Sequence, residues 1–195
     1  WAFSQNWSWD NIKSAYEDIE LAVQSNTKKI PPYKIPVNDV SSQHHPILKH
    51  YFAASQDFEF KRNNELNSST DNQVGNYNVN ILNGYRASSA KIFLKPIKKH
   101  PNLTILTNAE VLKLYFVNKK ISGLKIKHKK KIINIKPNIG TILSSGSIMT
   151  PYLLMKSGVG DAAELNQLNI PLILNSPHVG KNLQDHLGLD YLYKT

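Results

Sequence analysis

Apolar positions along this chain recur with more than one spacing, and each spacing predicts a different kind of element. Near the start, Ile12, Tyr16, Ile19 and Val23 fall on one face at helical spacing, with Ser8 or Asp10 available as an N-cap. This predicts a helix from about Trp9 to Val23. The polar stretch that follows is broken by Pro31, Pro32, Pro36 and Pro46, which predicts a loop with short extended pieces. A second helix is expected from Ile47 to about Gln56, followed by an Asn/Ser/Asp-rich, irregular segment over 59–77. Asn78 to Leu82 has strand character, Asn83-Gly84 is a turn signal, and Ala87 to His100 can form a helix that Pro96 ends or kinks.

The pattern then changes to period two. Leu103–Thr107 reads as a short buried strand, and Val111–Val117, Ile121–Lys127 and Lys131–Lys136 read as an antiparallel meander with turns at Asn118-Lys119-Lys120 and His128–Lys130. Ile139–Leu143 is apolar on both faces, as expected of a central parallel strand. Ser144-Ser145-Gly146 then allows a sharp turn where a Cβ would obstruct a closely approaching ligand. Thr150 and Pro151 suit the N-cap and first position of a helix ending at Ser157, with Gly158 able to take the left-handed cap. Asp161 and Glu164 form a capping-box pattern for a further helix, which Asn169 can close before Ile170-Pro171 leads into a strand at Leu172–Leu174. The predicted class is mixed α/β.

Composition changes this picture at few points. The 195 residues carry a net charge of +10. Lys113 to Lys136 holds nine lysines and no acidic residue, so that segment carries nearly all of the excess. It admits a non-enzymatic alternative, a module binding an acidic partner such as nucleic acid. Strand alternation explains the lysines better, because Leu124 and Ile126 face one way while Lys125 and Lys127 face the other. Nucleic acid is therefore not an expected partner. With no cysteine, disulfides, thiolate metal sites and Cys nucleophiles are excluded. His44, His45 and His50 lie in a Pro-flanked stretch without paired carboxylates, so no metal site is expected. No apolar run reaches the ~18 residues of a membrane span. Three short Asn-x-Ser/Thr patterns, at Asn6, Asn67 and Asn102, are frequent by chance in an Asn-rich chain. The chain begins at Trp1 and its only methionines are Met149 and Met155, which suggests a piece of a longer product.

The string Gly146–Gly160 (GSIMTPYLLMKSGVG) resembles a signature of the glucose-methanol-choline (GMC) oxidoreductases: a small pair, two spacers, Ser/Thr, Pro, an aliphatic pair and Ser-Gly-aliphatic-Gly. Further stretches agree in order: Trp1-Ala2 with Trp7-Ser8-Trp9, Asn83–Pro96 around Asn-Gly-Tyr-Arg-Ala-Ser, Pro101–Val111, and Val179–His186 (VGKNLQDH). The resemblance is weakest from 24 to 76. The Arg86–Pro96 stretch looks most like an insect, glucose dehydrogenase-like branch. The resemblance implies part of an FAD-binding doubly wound fold carrying the meander, with pieces of a substrate domain. On this basis 1–23 follows a flavin-lid region, 24–82 is substrate-domain-like, 83–180 belongs to the FAD-binding domain with the meander at 111–136, and 181–195 crosses back into the substrate domain. It implies an FAD-dependent oxidoreductase acting on CH–OH groups of an alcohol or sugar. Val111 would hold the adenine through its main chain, and Ser145 and Gly146 would line the adenosine and diphosphate side. For Arg86 a structural contact is expected rather than a phosphate contact. Asp185-His186 reads as a crossover pair, because the family's catalytic histidine comes from a later segment, and no catalytic residue is assigned here. No G-x-G-x-x-G phosphate turn occurs in the chain, so the isolated chain is expected to be inactive and to bind FAD weakly.

Overall fold

Ser8 starts the first helix by accepting the Asn11 N–H with its hydroxyl, at 3.4 Å. That helix, α1 (Trp9–Ile19), stops four residues short of the predicted end, because Lys34 donates to the main-chain oxygens of Glu17 and Asp18. Those carbonyls would otherwise need an extension of the helix. Glu20–Val23 turns instead into a strand, β1, paired in parallel with β2 (Ile35–Asn38). The computed structural model describes residues 5–23, 30–66, 72–192 and 194. They fall into two compact units, Trp1–Thr104 and Ile105–Thr195.

In the first unit, α2 (Leu48–Gln56) forms as predicted and buries Phe52, over whose ring the Arg62 guanidinium lies at 4.3 Å. The segment expected to be irregular contains a minimal parallel pair, β3 (Lys61–Arg62) with β4 (Gln73–Val74), and 67–71 lie outside the described residues. Asn38 exchanges both main-chain hydrogen bonds with Val79 at 2.9 Å. β5 (Ile81–Leu82) and β6 (Tyr85–Arg86) close a hairpin across Asn83-Gly84, both at positive φ (52° and 74°), as a type I′ turn demands. Beyond buried Ala87, the expected helix runs in π register over Ala90–Leu94 before the short α3 (Lys95–Ile97). Pro96 has no N–H to give to the carbonyl four residues back, and the Lys95 N–H reaches Ala90 instead.

The second unit is built on an antiparallel sheet in the order β7 (Ala109–Val117), β8 (Lys120–His128), β9 (Lys131–Ile135). The predicted meander is thus confirmed, and Asn118 and Lys119 both take positive φ in its first turn. α4 (Gly146–Lys156) packs on β7. It leads through β10 (Val159–Gly160) and α5 (Ala162–Gln167) to β11 (Leu174–Asn175), which pairs in parallel with β10. Leu114, Ile126, Leu153, Val159 and Leu165 form the buried core here.

Two predicted strands do not form. Leu103–Thr107 is irregular, and so is Ile139–Leu143, where Ile139 and Ile142 are 104% and 92% exposed. A parallel strand draws every ladder hydrogen bond from its neighbours, and no described strand lies beside either segment. Leu165 is fully buried, so Leu165→Ala should cost about 2–5 kcal/mol in chemical denaturation. Leu187→Ala, at a fully exposed position, should stay within about 0.5 kcal/mol. Equal effects would contradict this placement of the core.

Candidate functional site

The Gly146–Gly160 string folds into one helix with specialised ends. Thr150 and Pro151 were expected to open it, yet α4 starts more than a turn earlier, at Gly146, and Pro151 lies inside it. Gly146 makes this possible, because its φ of +86° reverses the chain directly before the first turn. Thr150 still caps, but backwards: its Oγ1 accepts the Ser145 N–H at 3.1 Å. A Cβ built on Gly146 would meet nothing within 4 Å. The face of the turn is therefore open while its backbone conformation still selects glycine. No acidic residue occupies the first turn of α4, which leaves free N–H groups and the positive end of the helix dipole facing outward. Just upstream, the Thr141 Oγ1 is shielded from solvent and has no hydrogen-bond partner among the described residues.

The other end of α4 is closed tightly. The Ser157 N–H donates to Leu153 and Leu154 at 3.1 and 3.0 Å. Its Oγ accepts the Leu114 N–H from β7 at 2.9 Å. Gly158 follows at φ +98°, with Pro171 O only 2.5 Å and Ile173 Cγ1 2.7 Å from where a Cβ would sit. The Gly158 carbonyl accepts from both Ile173 and Leu174, at 2.8 and 3.1 Å. β7, α4 and the 170–175 segment therefore meet at two consecutive residues. Gly180 closes onto the same helix, since a Cβ there would stand 3.0 Å from Met155 Sδ.

Val111 lies on β7 opposite Ile126, where the ladder shifts register between Val111 and Lys113. At 37% exposure it is not an ordinary core valine. The bulge leaves backbone groups outside the regular ladder. The structure thus puts Val111 on the strand against which α4 packs, and Ser145 and Gly146 at the open end of α4. Arg86 lies in the first unit, exposed at the end of the β5–β6 hairpin. The neighbouring Lys91 donates to the Leu82 carbonyl at 3.4 Å and lies 5.4 Å from the centre of the Tyr85 ring, tying that hairpin to the helix. Asp185 accepts the His186 main-chain N–H at 2.8 Å, a local turn contact between exposed residues.

Sequence reasoning saw Ser157 only as a helix end and missed its role. A polar residue closing the apolar run Tyr152–Met155 and followed by a cap glycine was the available signal.

Electrostatics around these elements are mild. Lys113 stands directly across from Lys125, and among the described residues no lysine of the sheet makes an ion pair. Asp161 caps α5, accepting the Ala163 and Glu164 N–H groups at 2.9 and 3.1 Å. Glu164 is drawn away from the expected capping box by an ion pair with exposed Lys181. That hydrogen bond, and the charge behind it, raise the lysine's pKa above its ordinary value. Among the described residues no cluster of three or more His, Asp or Glu is placed to hold a metal, and no helix is long and apolar enough to cross a membrane.

Comparison with known proteins places this geometry. Residues 1–188 match the family described as GMC oxidoreductase. An alcohol dehydrogenase (acceptor) of Pseudomonas putida is 33% identical over 192 residues, covering 96% of this chain and 35% of the relative. An oxygen-dependent choline dehydrogenase of Paraburkholderia xenovorans is 33% identical over 162 residues, covering 82% and 29%. A formate oxidase structure superposes with a TM-score of 0.79 at 23% identity, over 93% of this chain and 33% of that one. Pyridoxine 4-oxidase from Mesorbium loti gives 0.75 at 20%, over 89% and 34%. The chain spans about a third of the length of these proteins.

Gly158→Ala should destabilise the chain by at least about 1–3 kcal/mol, from a strained φ and a backbone clash together, read as a lowered urea midpoint. An unchanged midpoint would mean that the 170–173 segment does not approach Gly158. A second expectation concerns pH. A lysine whose folded pKa is raised contributes stability that is complete below its unfolded pKa and disappears as pH climbs through the folded value. The Glu164–Lys181 pair should therefore act evenly through neutral pH and fade in the alkaline range above the usual lysine value. Comparing the thermal midpoints of the parent and Lys181→Met across alkaline pH should show the difference shrinking; a difference that grows would contradict the assignment.

Proposed function

The chain belongs to the GMC oxidoreductase family, and we propose that it forms the adenosine-side wall of an FAD site in a flavoenzyme oxidising CH–OH groups. The carrying observation is the Ser145-Gly146 turn: a backbone that selects glycine, an open face, and a helix start free of acidic side chains. Such a start accommodates phosphate charge on its N–H groups and dipole. In this reading Ser145 and Gly146 line the ribose and diphosphate side of the cofactor. Val111, at the bulge of β7, offers main-chain donor and acceptor to the adenine edge. The residues present fit this half of the cofactor. Residues 83–180 are assigned to the cofactor-binding domain and 181–195 to the return into a substrate domain.

When bound, the flavin ring supplies the hydride acceptor. What this chain contributes is grip and orientation, and none of its residues is assigned a proton-transfer role. The alcohol and choline donors in the relatives' names support an alcohol-type substrate; a sugar fits the same chemistry. The Arg86–Pro96 stretch further supports an insect, glucose dehydrogenase-like branch. The basic meander needs no separate function, since its lysines are solvent-facing strand positions and residues of the connecting turns.

The full-length parent protein should purify yellow, with a flavin spectrum that an alcohol or sugar from a donor panel bleaches under anaerobic conditions. Colourless protein that takes up no FAD, or flavin that no donor bleaches, would overturn the proposal.

A further inference from the structure

We propose that the Ser157 hydroxyl is a positioning residue for the adenosine half of the cofactor, setting where β7 stands relative to the open end of α4. The inference rests on the cofactor reading above and goes beyond it, since Ser157 itself lies at the opposite end of α4 from the proposed contact.

Ser157 is only 4% exposed, and among the described residues it is the one buried polar residue of the core. Its Oγ accepts the N–H of Leu114, itself 1% exposed. Leu114 sits between two register shifts of the β7–β8 ladder, one at Val111/Lys113 and one at Tyr115/Phe116. The first shift leaves Leu112 as the extra residue on β7 and the second leaves Ser122 as the extra residue on β8; such irregularities bend and twist a ladder locally, and the Ser157 bond holds β7 between them. Ser157 is itself held from the other side. Gly158 directly after it is held by Pro171 and Ile173 at distances that exclude even a Cβ, and its carbonyl is doubly bonded to Ile173 and Leu174. From this fixed point α4 runs eleven residues to Gly146, a stiff rod of about 16 Å. Val111 lies three residues before Leu114, just across the first register shift, so the bond anchors the end of β7 from which that shift departs. One hydroxyl thereby sets the offset between the two surfaces proposed to hold the adenosine half.

Removing the hydroxyl leaves the Leu114 N–H buried without an acceptor, and the strand must shift to reach water or another partner. The chemistry of the ligand that feels this is specific: adenosine phosphates should be affected, and a flavin lacking adenosine should not.

The test uses the full-length apoprotein and its Ser157→Ala, Ser157→Cys and Ser157→Thr variants, with FAD, ADP and FMN as probes in calorimetric titration. Ser157→Cys keeps volume but offers a poor acceptor, whereas Ser157→Thr keeps the hydroxyl. The expected result is that Ala and Cys weaken FAD and ADP by the same factor, roughly 5- to 100-fold, with FMN unchanged and Thr restoring most of the loss. Variants that bind FAD and ADP like the parent would overturn the assignment, as would an equal loss for FMN, which marks a merely structural residue. If the parent itself binds FMN but neither FAD nor ADP, the cofactor reading fails first and this inference fails with it.

Discussion

Leu114 occupies the middle of a strand that has a neighbour on one side only, and its amide points to the side without one. A buried N–H left unpaired costs about 1–3 kcal/mol, a large share of the marginal stability of a small domain. Ser157 answers that amide at 2.9 Å. Much of the second unit follows from the way the answer is built. The hydroxyl reaches β7 at the residue where α4 ends. The chain must then turn away at once, which requires the left-handed Gly158. Its carbonyl in turn recruits Ile173 and Leu174, bringing β11 alongside β10.

Rigidity at this end of α4 gives meaning to openness at the other. Around Gly158 a Cβ would collide with the Pro171 carbonyl, around Gly180 it would only crowd the flexible Met155 side chain, and around Gly146 it would meet empty space. All three glycines have positive φ, yet only Gly158 is also required by packing. Gly146 combines a demanding backbone with an unfilled surface, as expected where a ligand approaches the main chain. In the proposed reading the register shift beside Val111 serves the same site, because bulges free backbone groups from the ladder and aim them elsewhere.

Much of this was legible in the residues. The meander followed from period-two alternation and the Asn118-Lys119 turn, and the β5–β6 hairpin followed from Asn83-Gly84. The second helix and the Asp161 cap rested on local rules that tertiary contacts did not override. The family was legible from the Gly146–Gly160 string. The errors have identifiable causes. Thr150-Pro151 imitates a helix start, but a positive-φ glycine upstream outranked it. Lys34, far along the chain from α1, ended that helix by taking its carbonyls. Ile139–Leu143 has the composition of a central strand, and composition cannot supply the neighbours such a strand needs. Ser157 was not legible as a link to β7 because its partner lies 43 residues away, and local sequence carries no record of such a contact.

The central claim is that the β7–α4 pair, fixed at Ser157 and open at Gly146, holds the adenosine half of a flavin. A crystal structure of the full-length protein with FAD bound tests it most directly. The account predicts the adenine edge against the Val111 main chain and the ribose-diphosphate side along Ser145 and Gly146. Density that puts the adenosine away from both, with the Gly146 face covered by protein, would contradict it.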